Sequence, residues 1–209
     1  MQIQACLEEY KLLKEYFEPD YKRRNKALIT FKLKHPTLLD EHVYDLKKIL
    51  DTKTVGPDQY FVADLLYLYR GFSRELFEPM INCAIIYREP SFSRIFLRPC
   101  MSTFGVKDVA DLLTEKFLIG DFVTQIGISY LLYWLWHKDY EDVRRLYEVM
   151  IDYANRSNNI VEIYLYSLCF RSKLTYEGYI PNGASDLFKV TKGIPECEDL
   201  LKQLGWIRE

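Results

Sequence analysis

Residues 57–69 read PDQYFVADLLYLY, residues 73–86 read SRELFEPMINCAII and residues 90–104 read PSFSRIFLRPCMSTF. These three stretches decide the fold class. In the second, Leu76, Phe77, Met80, Ile81, Ala84 and Ile85 fall at i, i+1, i+4, i+5, i+8 and i+9, an apolar stripe with the period of an α-helix. In the first, Phe61, Leu65, Leu68 and Tyr69 gather on one side. Each stretch is bounded by residues that punctuate helices: Gly56-Pro57 and Gly71, Ser73, Glu89-Pro90-Ser91, and Gly105. Pro79 and Pro99 fall inside these helices, where a proline bends a helix.

The same alternation continues outward. Towards the C-terminus, Val106–Ile119 carries Val106, Val109, Leu113 and Phe117 on one face and stops at Gly120. Residues 122–136 are apolar nearly all round, as a helix between neighbours must be. Residues 140–155 return to a clean stripe of Val143, Leu146, Tyr147, Met150, Ile151 and Ala154, and Asn158-Asn159 marks a turn. Residues 160–174 are again apolar on most faces, and residues 175–209 read as loop with short helices. Towards the N-terminus, Ile3, Cys6, Leu7, Tyr10, Leu13 and Phe17 predict a helix that Pro19 ends. A weakly amphipathic helix over 20–34 stops at His35-Pro36. Thr37 is placed to cap the next helix, on which Leu39, Val43, Leu46 and Leu50 share a face.

Composition agrees. The 209 residues include only nine glycines and eight prolines, too few turn formers for a chain of many short strands. Hydrophobic residues are 49% and charged residues 28%, which places the chain among globular proteins. Its length fits a single domain over 1–209. A net charge of −2 gives no global preference for nucleic acid and leaves a local basic patch open. Cys6, Cys83, Cys100, Cys169 and Cys197 are odd in number and widely spaced, and read as free thiols of a reducing compartment. The N-terminal residues do not form a secretory signal, and the most apolar stretch, Ile126–Trp136, is too short to span a bilayer. A cytoplasmic protein is expected.

Helix-opening breaks at Pro57, Pro90, Asp121 and Asn158 recur at 33, 31 and 37 residues. Each of the first three opens a helix, a turn and a second helix, the second members starting near Ser73, Val106 and Tyr140. Over 57–174 the chain resembles the HEAT/armadillo-type superhelix. The passages Ala63–Tyr67, Glu89–Arg94, Thr103–Gly105 and Ala110–Leu113, with Tyr133-Trp134, resemble bacterial HEAT-like proteins of unassigned role. That resemblance implies an all-α, right-handed superhelix of stacked antiparallel helix pairs. Residues 1–56 would be capping helices, 57–174 the repeats, and 175–209 a C-terminal cap or tail.

No catalytic, metal or cofactor motif is present: no nucleophile elbow, no glycine-rich phosphate loop, no ligand spacing around His35, His42 or His137. His35 and His42 read as surface or turn histidines, and His137 as a helix C-terminal residue. Catalysis and cofactors are therefore not expected. Surfaces remain. Residues 22–34 hold Lys22, Arg23, Arg24, Lys26, Lys32 and Lys34 without an acid. They form either a contact for phosphates or an acidic partner, or a solvated face balanced by the acids before them. Arg70, Arg74, Arg94 and Arg98 would line one surface of a solenoid, reading carboxylate or phosphate, or else pair with Glu75, Glu78, Glu89 and Asp108. Tyr60, Tyr67, Tyr130 and Tyr133 belong to an aromatic set shared between core and groove, with Trp134 assigned to the core.

The candidate binding surface is thus Tyr60, Tyr67, Arg70, Arg74, Arg94, Arg98, Tyr130, Tyr133 and His137. The expected function is a non-catalytic interaction or regulatory module, of the immunity type, that binds another protein and no membrane. A HEAT-like DNA-binding or alkylated-base repair protein and a small-ligand binder are the alternatives. The first would need a basic groove, the second a closed pocket.

Overall fold

The computed structural model describes residues 3–16, 21–51, 56–87, 90–135 and 140–156. Among them every regular element is helical: α1 (Ile3–Tyr16), α2 (Tyr21–Lys34), α3 (Asp40–Leu50), α4 (Pro57–Tyr69), a 3-10 turn (Arg74–Leu76), α5 (Phe77–Ile86), α6 (Pro90–Phe104), α7 (Val106–Ile119), α8 (Phe122–Leu135) and α9 (Tyr140–Arg156). The turn and helices expected over 158–174 and the tail over 175–209 lie outside the described residues. The chain forms two compact units, Met1–Gly105 and Val106–Glu209.

Local chemistry sets the helix ends. Pro57 opens α4 in the first turn, where its missing N–H costs nothing. Gln59 closes that turn: its Oε1 accepts from the Gly56 N–H at 2.7 Å, and its Nε2 donates to the Ile49 carbonyl at 3.0 Å. One buried side chain thereby satisfies the start of α4 and the end of α3. At the other end of α4 the left-handed residue is Arg70, at φ 51°, not Gly71. Ser73 Oγ accepts from the Glu75 N–H at 3.3 Å and starts the 3-10 turn that runs into α5, so Pro79 falls near the beginning of that helix. Gly105 ends α6 at φ +91°, a conformation that favours glycine.

The α3 start corrects the sequence reading. The cap position is Leu39, not Thr37, and Leu39 is itself 54% exposed. A leucine offers no acceptor. The turn is closed instead by His42, whose Nδ1 accepts from the Leu39 N–H at 3.2 Å. His42 is therefore buried and structural rather than a surface histidine.

In the first unit, sequence neighbours pack as α1 with α2, α3 with α4 and α5 with α6. Alternate helices pack as well: α1 with α3, α3 with α5, α2 with α4 and α4 with α6. Two rows result, the odd helices α1, α3, α5 and the even helices α2, α4, α6. The pairing is one helix out of phase with the proline-based grouping, which joined α4 to α5. The reason is visible in α4. It lies between α2 and α6 in its own row and over α1 and α3 of the other, so Tyr60, Phe61, Val62, Ala63, Leu65 and Leu66 are all buried. Tyr10 meets Phe61 edge-on at 5.5 Å, and Tyr60 meets Phe96 at 5.9 Å. Each such buried side chain contributes about 1.5–3 kcal/mol by removal from water.

In the second unit α7 packs on both α8 and α9. Val109, Leu113 and Phe117 of α7 are buried, as are Val143, Leu146 and Met150 of α9, and Phe117 meets Tyr153 edge-on at 5.5 Å. Gln125 Nε2 donates to the Phe117 carbonyl at 3.0 Å across the turn between α7 and α8. Asp121 Oδ1 accepts from the Thr124 N–H at 2.8 Å and caps α8; a hydrogen bond from the Thr124 side chain first, and this backbone bond second, hold its carboxyl below the usual range.

Candidate binding surface

Packing α4 against α6 puts Tyr67 beside Arg98. The Arg98 guanidinium lies 4.5 Å from the Tyr67 ring centre, Tyr67 is half-buried and Arg98 is exposed. The ring holds the flat guanidinium by its negative face, worth about 0.5–1 kcal/mol at an exposed site. That leaves the N–H fork open to solvent, with no carboxylate on Arg98 among the described residues. Arg94 is exposed one turn before it on the same helix. Arg70, exposed at the end of α4, also carries no ion pair among the described residues.

Arg74 sits elsewhere, over an aromatic cluster. Its guanidinium lies 5.4 Å from the Phe77 ring and 5.6 Å from Phe104, which itself meets Phe77 at 4.6 Å and Phe72 at 5.1 Å. Tyr60 is only 8% exposed and stacks edge-on with Tyr87 at 5.4 Å, so it belongs to the core and leaves the candidate surface. In the second unit Tyr130 is half-buried, and Tyr133 is 47% exposed with its ring edge-on to Trp134 at 4.8 Å. Trp134 is half-buried rather than a core residue. His137 lies outside the described residues.

The pattern missed three groupings. The first is a ring cluster: Phe31 to His35 at 4.7 Å, Phe31 to His42 at 5.5 Å, and His35 to His42 at 4.9 Å. Pro36 breaks the helix between the two histidines, yet the turn brings their rings together. The second joins the ends of α2 and α4. Lys32 Nζ donates to the Leu68 carbonyl at 2.5 Å and stands 5.6 Å from the Tyr69 ring, and the Tyr69 hydroxyl donates to the His35 carbonyl at 2.5 Å. Burial, more than any charge, pushes the Tyr69 hydroxyl up to about 12. The third is an apolar turn between α7 and α8, where Leu118, Ile119 and Val123 are exposed.

Cys6, Cys83 and Cys100 are free and buried. Burial pushes the Cys6 and Cys83 thiols up to about 12 and raises Cys100 further, which withholds the nucleophilic thiolate. Among the described residues no group of three or more His, Cys, Asp or Glu side chains could hold a metal ion. No helix there is long and apolar enough to cross a membrane. A cleft of about 300 Å³ opens between α1, α3 and α4, lined by Ile3, Gln4, Asp45, Lys48, Ile49 and Asp58. Asp58 is held there by Lys11 at 2.7 Å, and none of the arginines or tyrosines above lines the cleft. The chain matches no family model, no curated protein and no solved structure.

Proposed function

We propose that this chain is a non-catalytic helical-repeat module of the HEAT/armadillo type that binds a partner protein on the face where α4 meets α6. One observation carries the reading: the exposed Arg98 guanidinium, laid on the Tyr67 ring and paired with no carboxylate among the described residues. Structural arginines neutralise a neighbour. An arginine held by an aromatic face and left open is organised for a group from outside. Alternate-helix packing in the first unit is what a solenoid uses to present one row of helices to a partner. The three buried free thiols fit the reducing, cytoplasmic setting of such a module.

The test is capture of the partner from the native host with the purified chain as bait. The wild type retains one partner through washing at moderate salt. Tyr67→Ala and Arg98→Ala each weaken retention about tenfold or more while leaving the circular-dichroism spectrum unchanged. Equal retention by both variants sinks the assignment of this face.

A further inference from the structure

Sorting the helices of the first unit into rows also sorts their charges. The even helices α2 and α6 carry Lys22, Arg23, Arg24, Lys26, Lys32 and Lys34, and Arg94 and Arg98, without a single acid on either. Helix α4 between them has Asp58 and Asp64. Both turn to the other row: Asp58 pairs with Lys11, and Asp64 Oδ2 accepts from the Tyr10 hydroxyl at 2.8 Å. The odd row is mixed: exposed Glu8 and Glu9 on α1, Asp40, Glu41 and Asp45 on α3 and Glu78 on α5 stand beside Lys11 on α1 and exposed Lys47 and Lys48 on α3. A chain of net charge −2 therefore has one row whose two outer helices carry basic residues and no acid.

That row is also apolar. On α2 the part left uncovered by α1 and α4 carries Lys26, Ile29 and Leu33, a stripe at i, i+3 and i+7, followed by exposed Lys34. Leu33 is 77% exposed and Ile29 46%. On α6, exposed Arg94 and Arg98 alternate with half-buried Ile95 and Met101. Phosphate backbones are met by cations and polar groups; a leucine standing free among lysines has nothing to gain from them. An acidic peptide segment with apolar anchors satisfies both features, since its carboxylates meet the Lys and Arg heads while its anchors cover Leu33 and Ile29.

We infer that the partner is a protein whose docking segment is acidic and amphipathic, taken along the even row from α2 across α4 to α6. This rests on the interaction reading above and adds the chemical class of the partner. Arg98 over Tyr67 fixes one end, by a fork that accepts a carboxylate bidentately. The Ile29 and Leu33 ridge takes the apolar anchors at the other.

The experiment titrates the full chain into a fluorescent synthetic helical peptide built from leucine and glutamate, with the leucines on one stripe. Anisotropy is read at low, physiological and high salt. The inference expects saturable binding that weakens about tenfold or more from low to high salt. Arg98→Glu and Lys26→Glu weaken it by a similar factor, and Leu33→Ser weakens it without changing the salt dependence. Glu9→Gln, on the other row, leaves it unchanged. The peptide also displaces the captured host partner. Three outcomes overturn the inference: no binding of the peptide, binding insensitive to Arg98 and Leu33, or a duplex DNA or phosphatidylserine vesicle binding where the peptide does not. A host partner that is still lost in Tyr67→Ala but not displaced by the peptide removes this inference and leaves the interaction face standing.

Discussion

Raising the pH from about 7.5 to about 9.5 removes roughly 4 kcal/mol from the stability of the first unit. The perturbation acts through its three buried thiols. Cys6, Cys83 and Cys100 have relative exposures of 0%, 1% and 0%, and among the described residues the Cys6 and Cys83 sulfurs make only weak contacts, to the Ala27 and Leu50 carbonyls at 3.6 Å. Burial holds Cys6 and Cys83 up to about 12, and Cys100 higher. An unfolded cysteine ionises at about 8.5. The folded-state values are raised, so the stabilising contribution is complete below pH ~8.5 and drains away as pH climbs towards the folded values. One pH unit beyond ~8.5 each thiol forfeits about 1.4 kcal/mol, and the three act together in one unit. Against a typical stability of about 5–15 kcal/mol this is a large fraction. Trp134, Trp136 and Trp206 all lie beyond residue 105, so no tryptophan belongs to the first unit. Urea unfolding is therefore followed by far-ultraviolet circular dichroism and by the rate at which a thiol reagent labels these cysteines. Cys6→Ala, Cys83→Ala and Cys100→Ala should each remove about a third of the alkaline slope. A triple alanine variant with the parent's slope, or native-state labelling at the rate of a free peptide thiol, would refute the reasoning.

Three other outcomes follow from single contacts. A Cβ on Gly120 would stand 2.5 Å from the Lys116 carbonyl oxygen and 2.7 Å from Thr124 Cγ2, so Gly120→Ala forces the α7–α8 turn apart. It should cost about 1–3 kcal/mol in urea midpoint analysis, and an unchanged midpoint would contradict that geometry. Gln59→Ala deletes both the Gly56 and Ile49 bonds and should cost about 2 kcal/mol, while Gln59→Glu keeps the acceptor for Gly56 and recovers part of it; equal losses in thermal unfolding would argue against two separate bonds. Asp121→Ala removes the α8 cap for about 1 kcal/mol, whereas Asp121→Ser should be nearly neutral, a pair readily compared by melting temperature.

Helix identity and much of the burial were legible in the residues. The stripe at Leu76, Phe77, Met80, Ile81, Ala84 and Ile85 is buried throughout, Gly105 ends α6, and the Val109, Leu113, Phe117 face is buried in α7. Those features are local: they depend on a period of 3.6 and on which residues tolerate a helix end. The candidate surface was legible only in part. Arg98 and Tyr67 belong together, but Tyr60, on the same helix and of the same type, is in the core. Sequence spacing could not separate the two tyrosines, because α4 is apolar on most sides and its exposed strip is whatever α1, α2, α3 and α6 leave uncovered.

By itself the sequence determined that the described chain is helical, where most of its helices start and stop, and which faces are apolar. A stripe of leucines states that a face must be covered and is silent about which helix covers it, because the hydrophobic effect is non-directional. Only tertiary packing decided that α3 pairs with α4 and α5 with α6, that His35 and His42 meet across a proline, and that Leu33 stands open. The same packing turned a nearly neutral list of charges into a basic even row and a mixed odd one, for charge acquires direction only when the helices that bear it are put side by side.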